Sequence, residues 1–323
     1  MADRSPITII GAGSIGTGFA LVFAGSGHPV RLYDIAPARL DTAIGKLHQR
    51  LADLEEFGLV EAPHEAIAAR VTTTPSLEAA LADAVLAIEC APEDLATKQA
   101  VFADLDRLAR SDAVLASATS AIPISVTAGS LAGRARCLVA HPGNPPYLLP
   151  VIELVPAPFT AAATIARAAD LFAAAGMQPV RLAREIEGFV FNRLQGAVLR
   201  EAYRLVRDGV ASVDAIDTVM RAGLGRRWSV IGPFETADLN VEGGIDAHAR
   251  RMGAAYARMA EADGEAGPWD AALVAEVAAQ RRAVLPLDQW PERTVWRDRA
   301  LMALERCRRT TPELQDGSAM HPR

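Results

Sequence analysis

"ITIIGAGSIGTG", residues 7–18, decides the fold. Its first four residues read as a buried strand, and Gly11, Gly13 and Gly16 follow at once at the start of a helical pattern. Gly11 permits a tight turn. Gly13 lets a diphosphate approach the backbone, and Gly16 lets helix and strand pack closely, with the helix N-terminus facing the anion. The next strand candidate, Val30–Tyr33, leads into Asp34, eighteen residues after Gly16. A carboxylate there accepts hydrogen bonds from adenosine ribose hydroxyls and repels a 2′-phosphate, so the expected cofactor is NAD rather than NADP. The competing reading is a glycine turn that binds nothing.

Short β-branched runs continue beyond this unit at Val71–Thr73, Val85–Glu89, Val114–Ser117, Cys137–Ala140, Val151–Val155 and Gln178–Arg181. Helical apolar spacing separates them at Ser14–Ala24, Ala38–Phe57, Leu95–Ala109 and Ala161–Ala175. This alternation predicts an α/β fold, a Rossmann-type doubly wound parallel sheet with crossover helices. After Gly188 the strand signal ends. A long helix through Phe189–Leu205 and another over Val213–Ala222, capped by Ser212 and stopped by Gly223, begin an all-helical domain. Gly244–Ala262 and Ala271–Val284 continue it, and the last residues, "DGSAMHPR", read as a frayed tail. The expected division is an NAD-binding domain over 1–186 and a substrate and dimerisation domain over 187–323.

Composition narrows the function classes. Half of the 323 residues are hydrophobic, yet no run of eighteen or more is uninterruptedly apolar, so no transmembrane helix is expected. A net charge of −6 argues against nucleic acid or an anionic membrane as partner. Cys90, Cys137 and Cys307 are far apart and odd in number, which predicts buried thiols in a reducing compartment, the cytoplasm. No histidine spacing suits a metal.

"HPGNPPYLLPVIEL", residues 141–154, places four prolines in its first ten positions. It predicts a stiffened loop that feeds a strand. His141 ends an apolar strand on the carboxyl edge of the sheet, where open α/β sheets bind ligands. Glu153 stands in a strand otherwise written in Val, Ile and Leu, where a carboxylate is costly unless paired. Pairing with His141 would fix the imidazole tautomer and raise its basicity. The alternatives are a histidine that caps the strand end and a glutamate facing solvent. Ser120, after "ATS", is a substrate hydroxyl or a turn cap. Asn192, in "GFVFNRL", is a site donor or a local backbone bonder.

Taken together, "GAGSIG", "ECAPEDLATK", "ATS", "HPGNPPYLLPVIELVP", "GFVFNRL" and "GLGRRWSVIGPFETADLN" resemble the 3-hydroxyacyl-CoA dehydrogenase superfamily. The likeness runs from Ile7 to about Arg299. It implies a catalytic set of Ser120, His141, Glu153 and Asn192. It also implies cofactor contacts at Ser14, Ile15, Asp34, Glu93 and Lys98, with Asn144 near the nicotinamide. The reaction implied is oxidation of a secondary alcohol. Ala118 departs from the asparagine that the acyl-CoA branch carries.

Residues 46–70 hold three cationic side chains against five acidic ones, a poor surface for CoA phosphates. The expected substrate is therefore a small hydroxy acid, L-gulonate-like as the resemblance implies, with L-carnitine and 3-hydroxyacyl-CoA as alternatives. A non-catalytic structural role is the alternative from another class. In "AGLGRRWSVIGP", read as a glycine-rich loop, Arg227 offers a fork for a carboxylate, with a solvated pair or a subunit contact as competing readings. The resemblance and the apolar helices after Gly188 imply a homodimer.

Overall fold

The computed structural model describes residues 4–262 and 271–311. The predicted tail, including His321, lies outside these residues. Two compact units divide the chain, Met1–Leu199 and Arg200–Arg323.

The first unit carries one eight-stranded sheet: β1 (Ile7–Ile10), β2 (Val30–Tyr33), β3 (Val71–Thr74), β4 (Leu86–Glu89), β5 (Val114–Ser117), β6 (Cys137–Pro142), β7 (Val151–Val155) and β8 (Gln178–Arg181). Their spatial order is β3-β2-β1-β4-β5-β6-β7-β8. The order reverses direction between β1 and β4, and that switch point opens a crevice at the carboxyl ends of both strands. β1 shows why the sheet is covered on both faces. Ile7 and Ile9 join one core cluster and Ile10 the other, as side-chain alternation requires. Helix α1 (Ser14–Gly25) lays Phe19 and Phe23 on the first face, where their rings lie 6.1 and 5.6 Å from that of Phe172. Helix α2 (Pro37–Glu56) buries Leu40, Ala43, Leu47 and Leu51, a stripe at helical spacing.

One part of the expected sheet is corrected. β6 and β7 pair antiparallel. Only residues 143–150 connect them, too few for the crossover that a parallel return needs. β6 also runs to Pro142, so His141 stands inside the strand rather than on the loop after it.

In the second unit the expected stop at Gly223 does not occur. The helix Val213–Val219 passes through a widened, π-type turn, Met220–Leu224, straight into Gly225–Trp228. Arg226 and Arg227 therefore sit on a helical turn instead of a glycine-rich loop. A Cβ at Gly225 would lie 2.8 Å from the Met220 carbonyl oxygen, so glycine lets the widened turn close. Two more helices, Pro233–Leu239 and Trp290–Thr310, escaped the periodicity reading. The latter is thick with charge and has no continuous apolar stripe, and Pro291 and Glu292 in its first turn are its start signals.

No helix among the described residues is long and apolar enough to cross a membrane. Cys137 is buried, which pushes its thiol up to about 12, and Cys90 is half-buried. Cys307 is exposed on the last helix, contrary to expectation.

Candidate active site

The glycine loop is shaped by contact. Gly11 has φ +107°, and a Cβ there would lie 2.6 Å from the Cys90 carbonyl oxygen. A Cβ at Gly16 would lie 1.9 Å from the Gly11 oxygen, but one at Gly13 would meet nothing within 4 Å. Packing thus compels the first and third glycines, whereas Gly13 keeps space open before a helix start that no side chain caps. Ser14 and Ile15 follow in the first turn of α1. Asp34 is buried, and its two oxygens accept from the Ala12 and Ala36 amides at 2.9 and 3.0 Å. Each oxygen retains lone-pair capacity for a further donor.

Arg50, on α2, was missed as a site residue. Its Nη2 donates to Ser14 Oγ at 3.4 Å, and its guanidinium lies over the Tyr147 ring at 5.6 Å. Its Nη1 is buried with no hydrogen-bond partner. An orphan cationic donor beside an uncapped helix start and an open glycine fits an anionic dinucleotide.

β4 ends in Glu89, which is fully buried. Lys98, 1% exposed, donates to Glu89 Oε1 at 2.8 Å and pairs with Glu93 Oε2 at 3.2 Å. Ser117 Oγ donates to Glu89 Oε2 at 2.6 Å. Glu93 Oε1 accepts from the Thr119 hydroxyl and from the Ser120 and Ala121 amides at 3.1 and 3.2 Å. Burial pushes Glu93 up, but Thr119 and Lys98 hold its carboxyl below the ordinary range. Thr119 is thus engaged in holding this loop. Glu89 and Ser117 had read only as strand residues, for periodicity does not show what closes the end of a strand.

His141 and Glu153 stand directly opposite each other in the β6–β7 register. Their Nδ1 and Oε2 atoms are 2.8 Å apart, with both side chains buried. The other carboxylate oxygen accepts from the Val190 and Phe191 amides at 2.8 and 3.0 Å. Burial raises the Glu153 pKa, but the His141 hydrogen bond and these two amides more than offset it, leaving the carboxyl below the ordinary range. Nδ1–H donates to the carboxylate in this arrangement, and Nε2 has no hydrogen-bond partner among the described residues. The chain reaches Glu153 through a left-handed corner, Gly188 at φ +75° and Phe189 at φ 51°. Phe189 is fully buried against His141, with centroids 5.3 Å apart, and the Phe191 ring lies at 6.1 Å. A left-handed phenylalanine leaves no mark in periodicity, so this corner is invisible in the residue pattern.

The proline-rich loop after His141 packs against α1. A Cβ at Gly18 would come within 2.9 Å of Pro146 Cδ, so α1 takes the 143–150 loop at close range. Asn144 lies exposed on that loop. Asn192 Nδ2 donates to the Ser120 carbonyl oxygen at 3.0 Å, bringing those two residues together. Arg227 belongs to the second unit, where its Nη1 donates to Asn240 Oδ1 at 3.3 Å.

Comparison with known proteins agrees with this geometry. Residues 6–186 match the family described as "3-hydroxyacyl-CoA dehydrogenase, NAD binding domain", and residues 188–282 match the C-terminal domain of the same family. A lambda-crystallin homolog from Bos taurus is 38% identical over 95% of this chain and 97% of its own length. L-carnitine dehydrogenase from Streptomyces griseus is 39% identical over 75% of this chain and 72% of its own. Among solved structures, 5-formyl-3-hydroxy-2-methylpyridine 4-carboxylic acid 5-dehydrogenase, an NAD+-dependent dismutase, superposes with TM-score 0.69. It is 30% identical, over 88% of this chain and 97% of that one. An NAD-binding sheet, a helical second unit and these relatives together make the chain an NAD-dependent oxidoreductase acting on CH–OH groups, a member of the 3-hydroxyacyl-CoA dehydrogenase family.

Proposed function

We propose that this chain oxidises the 3-hydroxyl of a small free hydroxy acid, L-gulonate-like, with His141 as general base. The opposed His141–Glu153 pair carries the reading. With Nδ1–H given to Glu153, the Nε2 lone pair is left to take the hydroxyl proton. The imidazolium that forms is stabilised by a carboxylate that three hydrogen bonds keep ionised. Ser120 and Asn192, joined to each other, hold the reacting oxygen. NAD, when bound, accepts the hydride from the carbinol carbon. Gly11, Gly13, Ser14, Ile15, Gly16 and Asp34 are the residues assigned to its diphosphate and ribose, Glu93 and Lys98 are further cofactor contacts, and Asn144 is assigned to the neighbourhood of the nicotinamide.

Two observations favour a free acid over a CoA thioester. Of the three cations in residues 46–70, Arg50 reaches inward to Ser14 and Arg70 donates to the Ala24 carbonyl at 2.7 Å, which leaves Lys46 among five acidic side chains. L-carnitine dehydrogenase and the pyridine carboxylic acid dehydrogenase are both named for free carboxylic acids. The assembly proposed with this activity is a homodimer built on residues 187–323. Leu199, Tyr203 and Val206 support it, exposed on one face of the Phe191–Arg207 helix, a stripe a second copy would cover. An NAD-reduction screen over L-gulonate, L-carnitine and 3-hydroxybutyryl-CoA tests the substrate class. Fastest turnover of a free acid is expected, and fastest turnover of the thioester overturns it.

A further inference from the structure

The second unit encloses a cavity of its own, about 560 Å³, within the range of small-molecule sites. Its walls are mostly apolar, with Trp228, Phe234 and Tyr256 among them. Four polar side chains converge on it. Arg227 is steadied by Asn240, which also lines the cavity. Thr236 is 9% exposed, and its buried hydroxyl has no hydrogen-bond partner among the described residues. Burial holds His248 below its ordinary pKa. No carboxylate among the described residues lines the space. The acids of the adjoining Pro233–Leu239 helix are turned to other cations, Glu235 to Arg293 at 2.7 Å and Asp238 to Arg281 and Arg282.

One positive charge, one orphan hydroxyl and apolar walls define the complementary ligand. We propose that this cavity is a binding site for an organic monocarboxylic acid with an apolar body. The Arg227 fork takes the carboxylate, the Thr236 hydroxyl donates a further hydrogen bond, and the aromatic walls cover the body of the acid. A polyhydroxylated acid is disfavoured, because each hydroxyl buried there without a partner loses its hydration uncompensated. The assignment holds whether or not the hydroxy-acid reading of the sheet unit holds.

The acid is therefore a ligand distinct from the polyhydroxylated substrate proposed for the sheet unit, and one experiment tests this. Hexanoate is titrated into the full chain by calorimetry and by Trp228 fluorescence, with gluconate and hexanol as controls. Saturable hexanoate binding is expected, with each control at least ~10-fold weaker, since each lacks one half of the match. Arg227→Lys keeps the charge and loses the fork, and should weaken hexanoate about 10-fold. Thr236→Val should weaken it about 5-fold without lowering Tm, which guards against a variant that merely unfolds. Any effect of hexanoate on hydroxy-acid turnover is expected to be non-competitive with the hydroxy acid, and purely competitive inhibition overturns the assignment of a separate site. No saturable binding, equal affinity for gluconate, or full affinity in both variants overturns the proposal. So does binding confined to a monomeric fraction, because the cavity would then be a subunit contact.

Discussion

Glu89 and Glu153 are two carboxylates of one sheet, both buried and both saturated with hydrogen bonds, yet they serve different ends. Glu89 meets Lys98, an ammonium with donors only, and is sealed by Ser117 and the Ala91 amide. Glu153 meets an imidazole, which keeps one nitrogen free. The partner decides the role. A fixed ion pair at the end of β4 braces the loop that carries Glu93, Thr119 and Ser120. A carboxylate whose partner can take up a proton at its free nitrogen does chemistry.

The largest expected effect falls on the titrating pair. His141→Asn should cut kcat by about 10³-fold, within the span of a lost general base, with NADH affinity nearly unchanged by fluorescence titration. Turnover near the wild-type level would break the comparison at its centre. The sealed pair should respond in stability instead. Lys98→Met strands Glu89 as a buried unpaired charge, at about 3–5 kcal/mol, read as a fall in Tm. Adding Glu89→Gln should recover most of that loss, because the burial penalty goes with the charge. If the double variant is no more stable than the single, Lys98 acts through packing and not through the pair.

Glu153→Gln comes next, with kcat lowered about 10²-fold, since the imidazolium loses its counter-charge but keeps a hydrogen-bond acceptor. It should also flatten the acid limb of stability. Glu153 has a folded-state pKa below its ordinary 4.5, so its stabilisation is complete above that value. That contribution is lost as pH falls through the folded pKa. The glutamine variant lacks this slope, and an unchanged acid limb in urea titrations would show that Glu153 does not titrate below its unfolded value.

These pairs also show how much was legible in the sequence. The glycine loop, Asp34 and seven of the eight strands follow from local pattern within a residue or so, because the buried strands and glycine turns obey short-range rules. The His141–Glu153 partnership was legible too, from the cost of a carboxylate in an apolar strand. Its geometry was not, since an antiparallel return depends on loop length measured against the whole sheet. Lys98 and Glu93 came through family likeness, but Glu89, Ser117 and the left-handed Phe189 are defined only by neighbours far along the chain. In the helical unit, Gly223 misled because a glycine ends a helix only where the backbone turns left-handed, and here a widened turn carries the helix onward.

Asp34 extends the comparison to a third carboxylate at the same edge, and to the smallest effect. It has neither lysine nor imidazole; its partners are the Ala12 and Ala36 amides. A carboxylate held by amides alone keeps its charge available to whatever lies before it, here the position of the adenosine ribose after the glycine loop. It should favour ribose hydroxyls and repel a 2′-phosphate, so NAD is preferred over NADP in kcat/KM. Asp34→Asn removes the repulsion but preserves an acceptor for one amide. It should narrow the NAD/NADP ratio by about 10-fold, or roughly 1.4 kcal/mol, without moving the pH dependence set by His141. An unchanged ratio would mean that Asp34 only ties the glycine loop to the turn after β2, making it a structural brace like Glu89. A shifted pH profile instead would mean that the cofactor end and the base are coupled, and that the three carboxylates cannot be treated as separate stations.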